Sequence, residues 1–156
     1  MKLSNIPNTL KSDSAKNISF GIVQSLWNKE ITQRLYNGCY DTLLKHGAIK
    51  NNIITIHVPG SFELIYGAKK ITEKKKLDAV IVIGSIIKGE TPHFEFISNA
   101  VANGIKDLNI IYDIPFIFCV STDLKKQQAL DRSGGKFGNK GSDAALTAIS
   151  LINNIN

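Results

Sequence analysis

The sequence predicts a three-layer α/β sandwich built on a four-stranded parallel sheet, and three observations predict it. Four short β-branched or aromatic runs recur along the chain: ISFGIV at 18–23, IITIHV at 53–58, AVIVIG at 79–84 and IPFIFCV at 114–120. Their length and apolarity suit strands buried on both faces. Longer segments with helical spacing separate them. The 156 residues and 43% hydrophobic content suit one domain with a single core. Strands alternating with helices of this length pair in parallel through right-handed crossovers, the flavodoxin-like arrangement, and ligands then belong at the strand C-terminal ends.

Taken in order, residues 1–17 are polar, irregular and without strand or helix period. They read as an N-terminal extension, disordered or held by something outside their own domain, which spans 18–156. After the first strand, Ile31, Leu35, Cys39 and Leu43 recur every fourth residue as one face of a helix. The second strand leads to a helix whose end carries Lys74, Lys75 and Lys76, close to its negative dipole terminus. After the third strand, Phe94, Ile97, Val101, Ile105 and Leu108 mark another one-faced helix. The chain ends in two helical stretches, 125–132 and one through Ala144, Ala145, Ala148, Ile149 and Ile152. Between them GGKFGNKG, at 134–141, must form a kink or an exposed loop.

Lys and Arg number 19 against 13 Asp and Glu, a net charge of +6. Such a balance fits an anionic partner or a lysine-rich solvated surface. No aromatic-interleaved basic stripe accompanies it, so the surface reading is preferred and no nucleic-acid partner is expected. Cys39 and Cys119 lie far apart in apolar patterns, as core residues of a reducing compartment do. No N-terminal apolar signal core is seen, and no stretch approaches the ~18–20 apolar residues of a membrane span. The expectation is a soluble cytoplasmic protein without a membrane partner. Paired carboxylates, GxSxG, Walker and GxGxxG motifs and His/Cys metal clusters are missing, which removes support for hydrolase, kinase, dinucleotide and metalloenzyme readings.

Four loops follow the strands and open onto one rim: QSLWNKE at 24–30, PGSFE at 59–63, SIIKGETPH at 85–93 and STDLKKQ at 121–127. Trp27, between strand end and helix start, either stacks on a planar ring or simply packs. Ser61, Phe62 and Glu63 fall in the first turn of a helix. There Glu63 either grips a polyol or complements the dipole, with Ser61 as cap. In the third loop Gly89, Glu90, Thr91 and Pro92 lead into a helix, with Thr91 the expected N-cap and Pro92 suited to the first turn. Backbone donors at that helix start, with Lys88 nearby, suit a phosphate. His93 lies in the first turn at the mouth of the site, an address that fits a general base. Arg132, Lys136 and Lys140, spaced by four, either clamp a phosphate or solvate the glycine-rich turn.

Trp27 after the first strand, VPGSFE at 58–63, GSIIKGETPH at 84–93 and RSGGKFGNKG at 132–141 together resemble the motifs of the 6,7-dimethyl-8-ribityllumazine synthase family. The resemblance runs from about Ile18 to Ile152. It implies condensation of 5-amino-6-(ribitylamino)uracil with 3,4-dihydroxy-2-butanone 4-phosphate, the penultimate step of riboflavin synthesis, with no cofactor and no metal. Carried over position by position, Trp27 and Phe118 border the pyrimidine, Ser61, Phe62 and Glu63 hold the ribityl chain, and the backbone of Ser85, Ile86 and Ile87 pairs with the heterocycle. Glu90, Thr91 and Arg132 bind phosphate, Lys88 and Lys140 support them, and His93 shuttles protons. Trp27 stands where phenylalanine is common in the family, Lys88 where arginine is frequent, and Pro92 where the position varies. The resemblance also implies pentamers with sites between neighbours, an N-terminal segment added to the adjacent subunit's sheet, and an icosahedral shell, since the GGKFGNKG turn carries no insertion. Riboflavin synthase is a candidate partner. The alternative is a non-catalytic flavin- or lumazine-binding shell protein of the same fold.

Overall fold

A computed structural model of the chain describes residues 10–155. Its elements are β1 (Phe20–Ser25), α1 (Lys29–Lys45), β2 (Ile53–Val58), α2 (Leu64–Lys74), β3 (Ala79–Ile87), α3 (His93–Ile111), β4 (Phe116–Asp123), α4 (Lys126–Arg132), β5 (Ser133–Gly135), β6 (Gly138–Asn139) and α5 (Lys140–Ile155). The first four strands form one parallel sheet in the order β2-β1-β3-β4. The expected four-stranded α/β architecture is therefore observed.

Alternation along the strands splits the core into two layers. Phe20, Ile22, Ala79, Ile81, Ile83, Ile117 and Cys119 face α1 and α5, where Ile31, Leu35, Cys39, Leu43, Ala145 and Ile149 meet them. Val23, Val80, Val82, Phe116 and Val120 face α2 and α3, against Leu64, Ala68, Ile71, Val101, Ile105 and Leu108. Each fully buried Leu or Ile contributes about 1.5–3 kcal/mol relative to exposure. Polar side chains fix the seams. Asn109 of α3 donates to the Phe116 carbonyl at 2.9 Å and accepts from its N–H at 2.8 Å. Asp78 accepts from Ser19 N–H at 2.7 Å, aligning the starts of β1 and β3.

The structure departs from the sequence reading at the element ends. β1 begins at Phe20, because Ile18 turns back to donate to the Ala15 carbonyl. β3 continues to Ile87, since Ser85, Ile86 and Ile87 pair with Ser121, Thr122 and Asp123 of β4. Residues 10–17 are held by their own domain: Ala15 is fully buried, its N–H donates to His46 O at 2.8 Å, and Asn153 donates to Ser14 O at 3.0 Å. The rest of the expected extension, 1–9, lies outside the described residues.

GGKFGNKG is neither a kink nor a plain loop. It supplies the antiparallel β5–β6 hairpin, shaped by left-handed backbone at Gly134 (φ 114°) and Gly138 (φ 79°). Asn139 anchors the hairpin to α1 by donating to Arg34 O at 2.9 Å, and it accepts from Gly141 N–H at the start of α5 at 2.8 Å. Gly38 and Gly141 admit this approach, since a Cβ at Gly38 would strike the Asn139 side chain and one at Gly141 the Leu35 carbonyl.

Candidate functional site

The C-terminal ends of β1, β2 and β3 border a cleft of about 550 Å³. It collects Trp27 from the first loop, Ser61, Phe62 and Glu63 from the second, and Ser85, Ile86, Ile87, Thr91 and His93 from the third. Gly60, Gly89, Phe94 and Ile97 complete the lining. Trp27 is 69% exposed and does not fill the core of its own chain.

Neither expected side-chain cap forms. α3 starts at His93 with Pro92 at the cap position, and the Pro92 carbonyl, not the Thr91 hydroxyl, receives the N–H groups of Glu95 and Phe96 at 3.1 and 3.3 Å. The proline occupies the turn that a capping threonine would need, which puts Thr91 one residue too early. α2 starts at Leu64, so Ser61 lies in the turn before it. Its carbonyl accepts from Leu64 N–H at 3.2 Å while its hydroxyl caps nothing.

That leaves two hydroxyls of interest. Ser61 and Ser85 are buried, both line the cleft, and neither Oγ has a hydrogen-bond partner among the described residues. A buried hydroxyl without a partner costs about 1–3 kcal/mol, and a polar ligand would offset that cost. The turn carrying Ser61 presses on β3 because Gly84 lacks a side chain: a Cβ there would lie 2.8 Å from Ser61 Oγ and 2.9 Å from Leu64 Cδ1. Gly60 likewise makes room for the Glu63 carboxylate, whose Oε2 would lie 2.8 Å from a Cβ at that position.

Sequence reasoning missed Asn28. Its backbone is left-handed (φ 54°), a conformation asparagine tolerates better than most residues, and its side chain donates to Ser85 O at 3.0 Å. The loop bearing Trp27 is thereby tied to β3, and Trp27 N–H donates to Pro59 O at 3.0 Å. The available signal was an asparagine at the junction of a strand and a helix.

The remaining expected residues lie elsewhere. Lys88 is paired with Glu95 of α3 at 3.0 Å, and that hydrogen bond holds the Glu95 carboxyl below its ordinary range. Neither Lys88 nor Glu90 lines the cleft. Phe118, Arg132 and Lys140 line a second cleft of about 510 Å³ along β4, the open edge of the sheet, and the two linings share no residue. Arg132 donates through Nη1 to Gln128 O at 3.1 Å and stands 3.9 Å from the buried Asp123 carboxylate. Lys140 pairs with Asp143 at 2.7 Å. Cys119, beneath this cleft, has its thiol pushed up to about 12 by burial, so it stays neutral and unreactive. No group of three or more His, Cys, Asp or Glu among the described residues could hold a metal ion.

The family model for 6,7-dimethyl-8-ribityllumazine synthase matches residues 17–156. The chain belongs to this family. It is 58% identical over 138 residues to the 6,7-dimethyl-8-ribityllumazine synthase of Flavobacterium psychrophilum, covering 88% of this chain and 73% of that one. Identity to the enzyme of the same name from Parabacteroides distasonis is 51% over 139 residues, or 89% of this chain and 87% of the relative. For Bacteroides fragilis it is 49% over 135 residues, 86% and 94%. The lumazine synthase resemblance drawn from the four motifs thus holds across the domain, and the VPGSFE and GSIIKGETPH segments that carry it form the walls of the first cleft.

Proposed function

We propose that the chain joins 5-amino-6-(ribitylamino)uracil to 3,4-dihydroxy-2-butanone 4-phosphate, giving 6,7-dimethyl-8-ribityllumazine, phosphate and water, at a site completed by a second copy of the chain. The activity is the transferase step of riboflavin biosynthesis that names the family. The observation that carries the reading is the single cleft in which three loops unite an exposed indole, two buried hydroxyls without a partner among the described residues, a carboxylate and an imidazole. Those groups match a planar heterocycle bearing a polyol.

In this reading Trp27 stacks on the pyrimidine, and Ser61, Phe62 and Glu63 hold the ribityl chain. The backbone of Ser85, Ile86 and Ile87 meets the heterocycle edge. Glu90 and Thr91 at the start of α3 hold the phosphate with Arg132, supported by Lys88 and Lys140. The amine attacks the ketone to form an imine and release water. Phosphate then leaves, the ring closes, and a second water departs. His93 moves protons in these steps, a contribution of typically ~10²–10⁴-fold, while holding two substrates within reaction distance supplies much of the remainder.

Phe118 and Arg132, on the β4 edge, serve the cleft of a neighbour in this reading. An aromatic 43% exposed on a strand that is otherwise mostly buried supports that assignment. Pentamers with the N-terminal segment added to the adjacent sheet belong to the same reading, and the compact β5–β6 hairpin supports further assembly into an icosahedral shell. Riboflavin synthase is the partner that would take up the product. Two free, buried cysteines support a reducing, cytoplasmic compartment. No helix among the described residues is long and apolar enough to cross a membrane.

Mixing the protein with both substrates tests the activity: fluorescent lumazine should form faster than in the spontaneous reaction, and an unaccelerated rate sinks the proposal. His93→Ala should slow turnover while circular dichroism stays unchanged. Light scattering reads the assembly, and a monomer in solution contradicts the shared site.

A further inference from the structure

The β5–β6 hairpin contains one aromatic residue that the proposed reaction does not use. Phe137 sits at the hairpin turn, its N–H bound to Asp131 O at 2.9 Å. Its ring lies 5.1 Å from the Arg132 guanidinium carbon and 5.0 Å from Lys136 Nζ. Lys136 is in turn fixed by Asp131 at 3.2 Å. The ring is 44% exposed, so it does not serve the core. We infer that Phe137 is a positioning residue for Arg132, stacking against the guanidinium so that its free fork is presented to the substrate phosphate.

Three observations support this role. Among the described residues both polar contacts of Arg132, to Gln128 O and toward Asp123, fall on Nη1, which leaves Nε and Nη2 for a bidentate anion contact. Those contacts lie at one edge of the guanidinium and do not by themselves fix the tilt of its plane. An aromatic ring within about 6 Å of the charge supplies that restraint without using a donor. The hairpin carrying Phe137 is itself tied to α1 and to the start of α5 through Asn139. Asp123 would otherwise draw the guanidinium inward, because its carboxylate is buried and 3.9 Å away. Phe137 opposes that movement.

The inference rests on the phosphate role proposed for Arg132, and its test separates the two. In the intact full-length protein, Phe137→Leu keeps apolar bulk but loses the π face, Phe137→Ala loses both, and Phe137→Tyr keeps the ring. Phe137→Leu and Phe137→Ala should each raise KM for the butanone phosphate about three- to tenfold, the range of an exposed to partly desolvated cation–π contact. kcat and KM for the pyrimidine amine should stay within about twofold, and Phe137→Tyr should match the wild type. In an Arg132→Ala background the Phe137 change should add nothing. Wild-type behaviour of Phe137→Leu, or an equal change in both KM values, overturns the inference. If the wild type does not turn over, the functional reading fails by itself. An inorganic phosphate titration then decides the inference: equal affinity in wild type and Phe137→Leu overturns it, and a three- to tenfold loss supports it.

Discussion

Ser61→Ala should raise the stability of the free protein and weaken its ligand binding at once. The hydroxyl is buried, with the residue 7% exposed, and its oxygen has no partner among the described residues. Such a group costs about 1–3 kcal/mol of desolvation, so removing it while keeping the Cβ should recover a substantial part of that sum. For a chain of this size each 1 kcal/mol recovered corresponds to a rise in Tm of about 2–4 °C. If the hydroxyl meets the ribityl chain, deleting it removes about 0.5–1.5 kcal/mol of net hydrogen bonding, a two- to twelvefold rise in Kd. Denaturant unfolding of the ligand-free protein and a fluorescence titration with the pyrimidine substrate read the two effects separately. The opposite signs are the diagnostic. A destabilised variant with unchanged affinity would show that the hydroxyl holds the turn, and would refute the argument that the cleft leaves it for a ligand.

Asn28→Gly should raise KM for the pyrimidine amine by loosening the Trp27 loop, and Asn28→Ala should also cost about 1–2 kcal/mol of stability, because alanine resists the left-handed backbone. Equal unfolding midpoints for the two variants contradict this. Ile81→Ala, at a fully buried site in the middle of β3, should destabilise by about 2–5 kcal/mol and lower the denaturant midpoint. Glu30 and Glu95 are held below the ordinary carboxylate range chiefly by hydrogen bonds from Lys126 and Lys88. Their folded-state values are depressed, so their contribution to stability is present above the unfolded value and is lost as pH falls through the folded values. Both pairs are exposed, so the low-pH loss should be small and should shrink further with salt, whereas insensitivity to salt points to other groups.

The layers of the fold were legible because apolar runs and fourfold helical spacing are local signals, and Ile31, Leu35, Cys39 and Leu43 are all buried as a face. Element ends were less legible. β3 gains Ser85, Ile86 and Ile87 only through pairing with β4, a long-range event that no local pattern announces. Pro92 displaced the expected Thr91 cap, and the hairpin within GGKFGNKG depends on left-handed glycines and on Asn139 reaching α1, some hundred residues earlier in the chain. Strand order does bring Trp27, the PGSFE turn and His93 together in one cleft, whereas the loop after β4 borders the other. Phe118 and Arg132 are assigned to the site only by the family resemblance, which also allows them to serve a neighbour's pocket. The fold of one chain puts them on the open β4 edge, because a strand's two faces and its edge status are properties of the whole sheet.

The shared site is tested most directly by mixing two variants that each carry one defect. Glu63→Ala impairs the first cleft and Arg132→Ala the second, and each alone should turn over slowly. Unfolding and refolding them together in equal amounts should create intact sites wherever the unaltered cleft of one copy meets the unaltered Arg132 of another, about a quarter of all sites if copies assort at random. The account predicts that the mixture recovers turnover in about that proportion. A co-refolded mixture no faster than the average of the separate variants contradicts it and returns the whole site to a single chain.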